Sequence, residues 1–571
     1  MATQMEENTD FQDAHAGQVS LLRPDIIFSA EDSSKVIWDN QTYNWIHGED
    51  APETVSPSLW RQSRLCRIQG LFNIADNIYH VRGLDLANII FVETPNNGVI
   101  VIDCLTCYET AKNGWMLYNE EQPDKVIKAL IYTAMAITSV VHSPLSKQHQ
   151  RSQPSQFSTP TDFLSMQNGN SDTKLSVVYG TSLDNTPTGL VGCGLGMNIS
   201  SGKSGLVQPT KNIKKTGITL MDLTLSFKMN FHFPQYRALD MAENLTHTMH
   251  NIQTLRGALL RDARMWSRYL DEALVLFGSE TDTVFASHHW PTFGNEKIIQ
   301  FVSEQRDLYA YLNNETLRLL NAGQTCLEVA EDFVLPPSLD KLWNSRGYYG
   351  STSHNVKAVY NRYMGWFDGN PAHLWEHPPQ AAAKRYVQCI GGTGTDSLDI
   401  VIQIGVEYRE NGDLRFSATL LSHAVFADQT NQKARQELAT TYQKLELTSK
   451  ITPSTLAMSV EALQALNDDQ LTDTMAIRVE RAKAWDFDFT IDAIVTDKIK
   501  KVQSGWHMNV SHGALTGHAI DYVAERAPLE GTTNLTIWPT RAEFIELVSG
   551  AKKNVEGIRY LLDAAYVHLD L

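Results

Sequence analysis

The pattern of apolar and polar positions changes texture along the 571 residues. Residues 25–60 mix polar turns with single aromatics and read as a mostly irregular arm. From Gly70 the apolar residues gather into runs: Phe72–Val81, Asn88–Glu93 (NIIFVE) and Val99–Asp103 (VIVID) predict three strands, the last two joined by the turn signal Asn96-Asn97-Gly98. Thr106–Glu120 carries apolar residues at helical spacing, and Val126–Thr133 reads as a buried strand. Strand, hairpin, strand, helix, strand predicts an α/β layer whose next loop should carry chemistry. Residues 143–170 are instead rich in Ser, Gln, Pro and Thr without periodicity, as in a linker. So long a structureless stretch directly after a core strand is out of keeping with a compact domain. Order resumes at Val177–Thr181, and 231–244 holds a short strand ahead of Glu243. Residues 299–342 are helical by period, 346–370 are rich in Gly and Tyr, and 381–445 return to helices, among them Gln432–Leu445. Beyond a boundary near 451–454, Met475–Arg481 continues a helix or strand. Trp485–Ile491 (WDFDFTI) then alternates with period two, Leu535–Trp538 predicts a strand and Arg541–Ser549 a helix, together a small α+β module.

Length alone predicts roughly three to four domains. Hydrophobic content of 42% and charged content of 20% exclude a disordered scaffold, a collagen-like repeat and a coiled-coil rod. The formal charge, 48 − 65 = −17, repels phosphate backbones and anionic membranes, which argues against a nucleic-acid partner. An anionic small substrate then needs a local positive site, a metal or an Arg. No apolar run reaches ~18 residues, so no transmembrane segment is expected. The polar, acidic first 18 residues are neither a signal nor a transit peptide. Six scattered cysteines form no disulfide framework and suit a reducing compartment, so a cytoplasmic location is expected. Cys104 and Cys107 make one C-x-x-C pair without a second, and read as two ordinary thiols near a strand end.

Several runs together carry a resemblance. PETVSPSLWRQ (52–62), GLFNIADNIYHVRGLDLANIIFVE (70–93), VIVIDCLTCYETA (99–111), MNFHFPQYRALDMAENLTHTMHNIQTLRGALLRDA (229–263), FASHHWP (285–291) and RGYYGSTSHNVKAVYNRYMGWFDGNPAHL (346–374) resemble the bacterial-type alkyl sulfatases, dodecyl sulfate hydrolases built on a metallo-β-lactamase fold. The resemblance implies an αββα catalytic domain over 1–300, an all-α dimerisation domain over 301–450 that makes a homodimer, and a sterol carrier protein-like α+β domain over 451–571. It also implies two zinc ions per chain, activating water and polarising the sulfate ester, with an Arg fork on the sulfate oxygens. By that likeness Glu243 in MAENLTH is a bridging metal ligand, and His288, with His289 beside it, is a late His ligand. Arg256 in TLRG positions the sulfate, and Tyr179 in VYGT belongs to the same pocket.

One motif departs from the family. After the strand at 126–133 the family carries His-Ser-His-x-Asp-His-Phe-Gly-Gly, whereas this chain carries Ala134 to Val141 (AMAITSVV), with no metal donor among them. A catalytic zinc needs about three protein ligands, so the implied pair of ions is left incomplete. The family's Glu ahead of MNFHFP is also missing, and Lys228 stands near that junction. Thr133–Val141 can be encoded by bases that, read one nucleotide earlier, spell His-Ser-His-Gly-Asp-His-Phe-Gly-Gly. Phe157–Met166 shifts in the same way to Ile-Leu-Asn-Pro-Asp-Gly-Phe-Leu-Glu-His, similar to the family's next strand and helix start. Two readings follow. Either 133–166 is out of frame, with a second fault at Phe227–Lys228, and the intact gene encodes a zinc alkyl sulfatase. Or the chain is a metal-free dimer that binds a lipid-like or surfactant molecule through its C-terminal module.

Overall fold

The computed structural model describes residues 2–131, 133, 156–160, 184–200, 202–203, 211–213, 218–220, 223–225, 230–254, 260–445, 488–497, 502–511, 514–520, 535–537, 539–541 and 543–545. Its first half is built on two facing sheets. The first has eight strands in the spatial order Gln18–Ser20, Gly70–Ala75, Ile78–Arg82, Ile89–Thr94, Gly98–Ile102, Val126–Ile131, Gln156–Pro160 and Lys211–Ile213. Pairing is antiparallel as far as Gly98–Ile102 and parallel from there on. The second sheet has six, in the order Ile218–Leu220, Leu223–Leu225, Phe231–Phe233, Ala238–Asp240, Thr283–Phe285 and Thr292–Phe293.

Why the sheets stack follows from their sequences. Val99–Ile102 is apolar at every position and buried on both faces. Ile100 and Ile102 join Phe72, Ile90 and Ile131 in one cluster with Phe231, Phe233 and Phe285 of the second sheet. Strand alternation sends the intervening residues to the opposite face, where the helix Tyr108–Glu121 lies. Tyr118 of that helix stacks on Phe91 with ring centroids 4.3 Å apart. On the far side, Leu239 and Val284 pack against Trp266, Leu270, Leu308 and Tyr309 of the helices Ala263–Phe277 and Asn295–Asn321. Helix, sheet, sheet, helix is thus the layer order.

Past the long helix, Pro379–Gly391, Ser397–Glu410, Leu414–Ala427 and Gln432–Lys444 pack round Val401, Ile402, Leu420 and Leu421. In the last region Asp488–Asp497 pairs antiparallel over ten positions with Val502–Ser511, and Ala514–Ile520 and Leu535–Ile537 flank them in a four-stranded sheet. Among the described residues no helix is long and apolar enough to cross a membrane.

The structure corrects several expectations. The run Phe72–Val81 is a hairpin of two strands, Gly70–Ala75 and Ile78–Arg82, reversed at Asp76-Asn77, where Asn77 takes φ 61°. Asn tolerates that left-handed turn, which reverses the chain between two apolar-rich segments. Residues 156–160, inside the stretch read as linker, form a strand parallel to Val126–Ile131. The helical run at 299–342 is three helices, Asn295–Asn321, Cys326–Asp332 and Pro337–Asp340. The polar start of the chain, Ala2–His15, is a helix. It docks through Asp10 on Arg61 at 2.6 Å, Asp13 on Lys297, and the Ala14 carbonyl, which accepts from Arg82 at 2.6 Å. Val177–Thr181 and Met475–Arg481 lie outside the described residues.

Candidate metal and sulfate site

Two turns at one edge of the second sheet bring the acidic and imidazole groups together. After Ala238–Asp240 the chain turns through Ala242, which takes φ 50° and donates its N–H to Asp240 Oδ1 at 2.8 Å. That turn aims Glu243 inward. Asn244 fixes it from behind, donating to Asn230 Oδ1 at 2.8 Å and accepting the Trp266 indole N–H on its carbonyl at 2.8 Å. After Thr283–Phe285 the Ser287 N–H donates to the Ala242 carbonyl at 2.8 Å, so the two turns are stitched to each other. Asn88 ties the second turn to the first sheet, donating to the carbonyls of Ala286 at 3.2 Å and His289 at 2.9 Å.

Glu243 Oε1 lies 3.4 Å from His250 Nε2 and 3.6 Å from His288 Nε2. All three atoms are buried and have no hydrogen-bond partner among the described residues. The other ring nitrogen of each His faces a backbone carbonyl: Nδ1 of His250 sits 3.0 Å from the Asn251 oxygen, and Nδ1 of His288 3.0 Å from the Leu86 oxygen. A carbonyl can only accept, so Nδ1 carries the proton and the Nε2 lone pair is presented to the site, as in metal-binding histidines. Neighbouring donors round a tetrahedral zinc lie about 3.3 Å apart, close to both contacts of Glu243. The donors therefore suit a zinc ion in kind, and the distance of each imidazole from Glu243 suits one too. The set is also partial: among the described residues no group of three or more His, Cys, Asp or Glu side chains is arranged to hold a metal by itself.

Charge at this edge is balanced by Arg261. Its guanidinium donates to Glu243 Oε2 at 3.2 Å and is held by Asn251 Oδ1 and Thr254 Oγ1, each at 2.9 Å. Burial alone would raise the Glu243 carboxyl, but the Arg261 guanidinium holds it well below the usual carboxylate range. Burial, with help from Arg261, pushes His250 down, which keeps its ring neutral.

Of the residues singled out in the sequence, Glu243 and His288 come together here. Arg256, Tyr179 and Lys228 lie outside the described residues, as does the segment 134–141. His289 turns away from His288, because its backbone is left-handed at φ 67°. Its ring instead lies 2.7 Å from the Gly194 carbonyl and accepts the His247 N–H at 3.0 Å. Gly194 has φ 79°, and a side chain there would run into Tyr348, so only glycine fits this close approach. Below the site the Asp103 carboxylate accepts from Thr133 N–H at 2.8 Å, Thr133 Oγ1 at 2.5 Å and Ser287 Oγ at 2.7 Å. His250 and Arg261 were passed over in the sequence. Both stand in the run that carries Glu243, His250 seven residues after it, but the spacing alone has no periodicity that would mark them. Cys104 and Cys107 follow the strand Gly98–Ile102, are buried and form no disulfide.

A helix-flanked double sheet with carboxylate and imidazole donors gathered at its edge is the layout of a metallo-β-lactamase-like hydrolase. The comparisons narrow this. Residues 325–464 match the family model described as alkyl sulfatase dimerisation, and 456–560 the model described as alkyl sulfatase C-terminal. The chain is 37% identical to a linear primary-alkylsulfatase of Pseudomonas sp., covering 87% of this chain and 79% of that one. It is 35% identical to the alkyl/aryl-sulfatase BDS1 of Saccharomyces cerevisiae, covering 84% and 79%. The solved structure of the stereoselective inverting sec-alkylsulfatase Pisa1 from Pseudomonas sp. superposes with a TM-score of 0.81 at 29% identity, covering 97% of this chain and 91% of that one. The chain belongs to the alkyl sulfatase family, which are sulfuric ester hydrolases.

Proposed function

We propose that the gene of this chain encodes a zinc-dependent hydrolase of linear primary alkyl sulfates such as dodecyl sulfate, releasing alcohol and sulfate. The observation that carries this is the convergence of Glu243 Oε1, His250 Nε2 and His288 Nε2, three buried donors with no hydrogen-bond partner among the described residues. Leaving such atoms without a partner is costly unless something else fills the site. Glu243 and His288 hold metal in this reading, His250 joins them, and Arg256 and Tyr179 fix the sulfate oxygens. Zinc bound there would polarise the ester, a Lewis-acid role. Arg261 keeps Glu243 ionised, and the carbonyls of Asn251 and Leu86 keep the lone pairs of His250 and His288 on the site side. We assign residues 1–300 to catalysis, 301–450 to homodimer formation and 451–571 to a sterol carrier protein-like module that takes the alkyl tail, in a cytoplasmic enzyme.

A second reading has its own support. Ala134 to Val141 offers no donor, and Arg261 already neutralises Glu243 without a metal. In that reading the polypeptide as written is a metal-free dimer that binds a lipid or surfactant. Two measurements separate them. Sequencing the transcript across codons 120–235 restores His-x-His-x-Asp-His in the first reading and reproduces AMAITSVV in the second. Metal analysis of the protein purified from its native source finds about two zinc ions per chain in the first and none in the second.

A further inference from the structure

A second polar site is lined in part by the SHHWP turn but by none of Glu243, His250 and His288. We propose that the cavity between Arg82 and Trp290 binds one small monovalent anion of halide size, with chloride as the physiological candidate.

The cavity has a volume of about 20 Å³, and Cys66, Arg82, Asp85, Asn88, His289 and Trp290 are among the residues that line it. Arg82 is 4% exposed and Trp290 2%. Arg82 donates through one terminal nitrogen to the Ala14 carbonyl at 2.6 Å, and its guanidinium carbon stands 3.6 Å from the ring centroid of Phe72. Neither contact supplies a full negative charge. The Arg82 Nε–H and the Trp290 indole N–H have no hydrogen-bond partner among the described residues. Both are donors only and both belong to residues that line the cavity, so an acceptor held there would satisfy them.

The charges on the wall point the same way. Burial pushes Arg82 down to about 9, which leaves it a cation at neutral pH. Burial pushes the Cys66 thiol up to about 12, so it gives no counter-charge. Asp85 is the one carboxylate on the wall: its oxygens accept from the N–H groups of Leu86 and Thr106 and the hydroxyls of Thr106 and Ser200, burial pushes its carboxyl up, and it makes no ion pair with Arg82 among the described residues. Arg82 is a buried cation with no paired carboxylate, an arrangement that is costly without a counter-ion. A water molecule would satisfy the two N–H groups and leave the charge uncompensated, whereas a halide does both. The volume suits one guest near the size of a water molecule, smaller than the sulfate that alkyl sulfatases release.

The test uses the full-length protein in halide-free gluconate buffer, titrated with chloride at constant ionic strength. The melting temperature should rise by about 2 °C as the site fills. Crystals soaked in bromide should show an anomalous peak within hydrogen-bond distance of Arg82 Nε and Trp290 Nε1. Trp290→Phe keeps the ring and removes the N–H. It should lose most of the chloride-dependent rise while melting no lower than the wild type without halide. Arg82→Gln, where it folds, should lose the rise altogether. An equal rise in wild type and Trp290→Phe, or no bromide in the cavity, overturns the proposal. So does a bromide peak there without any halide dependence of melting, an adventitious ion only.

Discussion

The double sheet and the helical region beyond residue 365 solve opposite problems. The double sheet buries polarity: Asp85, Asp103, Asp240, His80, His250, His288 and His289 are all nearly inaccessible. The helical region leaves apolar side chains outside: Trp375 is 96% exposed and Trp366 75%, with Leu374, Tyr386, Ile390 and Phe426 exposed near them in sequence. Large exposed apolar residues mark association surfaces, and buried ionisable groups mark chemistry. One region is thus built to hold reactive groups dry, and the other lies within the segment matched as a dimerisation domain.

Mutations should sharpen that contrast. Trp266 is 2% exposed, stacks on Tyr309 at 4.4 Å and caps the Asn244 carbonyl behind Glu243. Trp266→Ala should cost about 3–5 kcal/mol in denaturant unfolding and loosen the Glu243 turn. A loss under 1 kcal/mol would mean the sandwich does not depend on that wedge. Arg61→Ala strands Asp10 beneath the first helix, where the pair is only 5% and 14% exposed. That should cost about 3 kcal/mol, with Asp10→Asn less severe.

Acid provides the next test. His247 lies between Trp290 and Phe301, at 4.3 and 4.5 Å, and burial pushes it down to about 3. Its folded value is below the ordinary 6.5, so the unfolded chain binds the proton first. Stability is complete above pH 6.5 and falls as pH drops from there towards 3. One such His contributes a slope of about 1.4 kcal/mol per pH unit. Urea midpoints measured between pH 7 and 5 should show it, and His247→Phe should flatten the curve. The smallest stability effect belongs to the other region. Trp366→Ser with Trp375→Ser should change unfolding by under ~0.5 kcal/mol yet convert a dimer to a monomer in sedimentation. An unchanged sedimentation coefficient would place the association surface elsewhere.

Much of the double sheet was legible because its strands are short, apolar and separated by turn residues, as in NIIFVE, NNG and VIVID. The hairpin inside 70–82 was not, because apolar residues recur closely on both sides of the two-residue break Asp76-Asn77. The first helix was invisible to periodicity for another reason. It has no apolar stripe and is held by charges on Arg61 and Lys297, far along the chain. At the site, Glu243 and His288 were found through likeness to a family. His250 and Arg261 became visible only when Tyr309, Asn251 and Asn355 were seen to fix the loop that carries them.

The clamp between Asp13 and Lys297 has a consequence for synthesis. The two residues are separated by 284 positions, so on a ribosome adding roughly 5–20 residues per second the first helix waits many seconds for its partner to be made. Strands of the first sheet can pair in that interval, and the first helix can already meet Arg61 and Arg82, but its clamp on Lys297 forms only once the long helix begins to emerge. The fold is therefore sealed late, by a contact joining two segments made far apart in time. A nascent chain arrested before residue 297 should therefore protect its first helix from protease less well than one arrested well beyond that point.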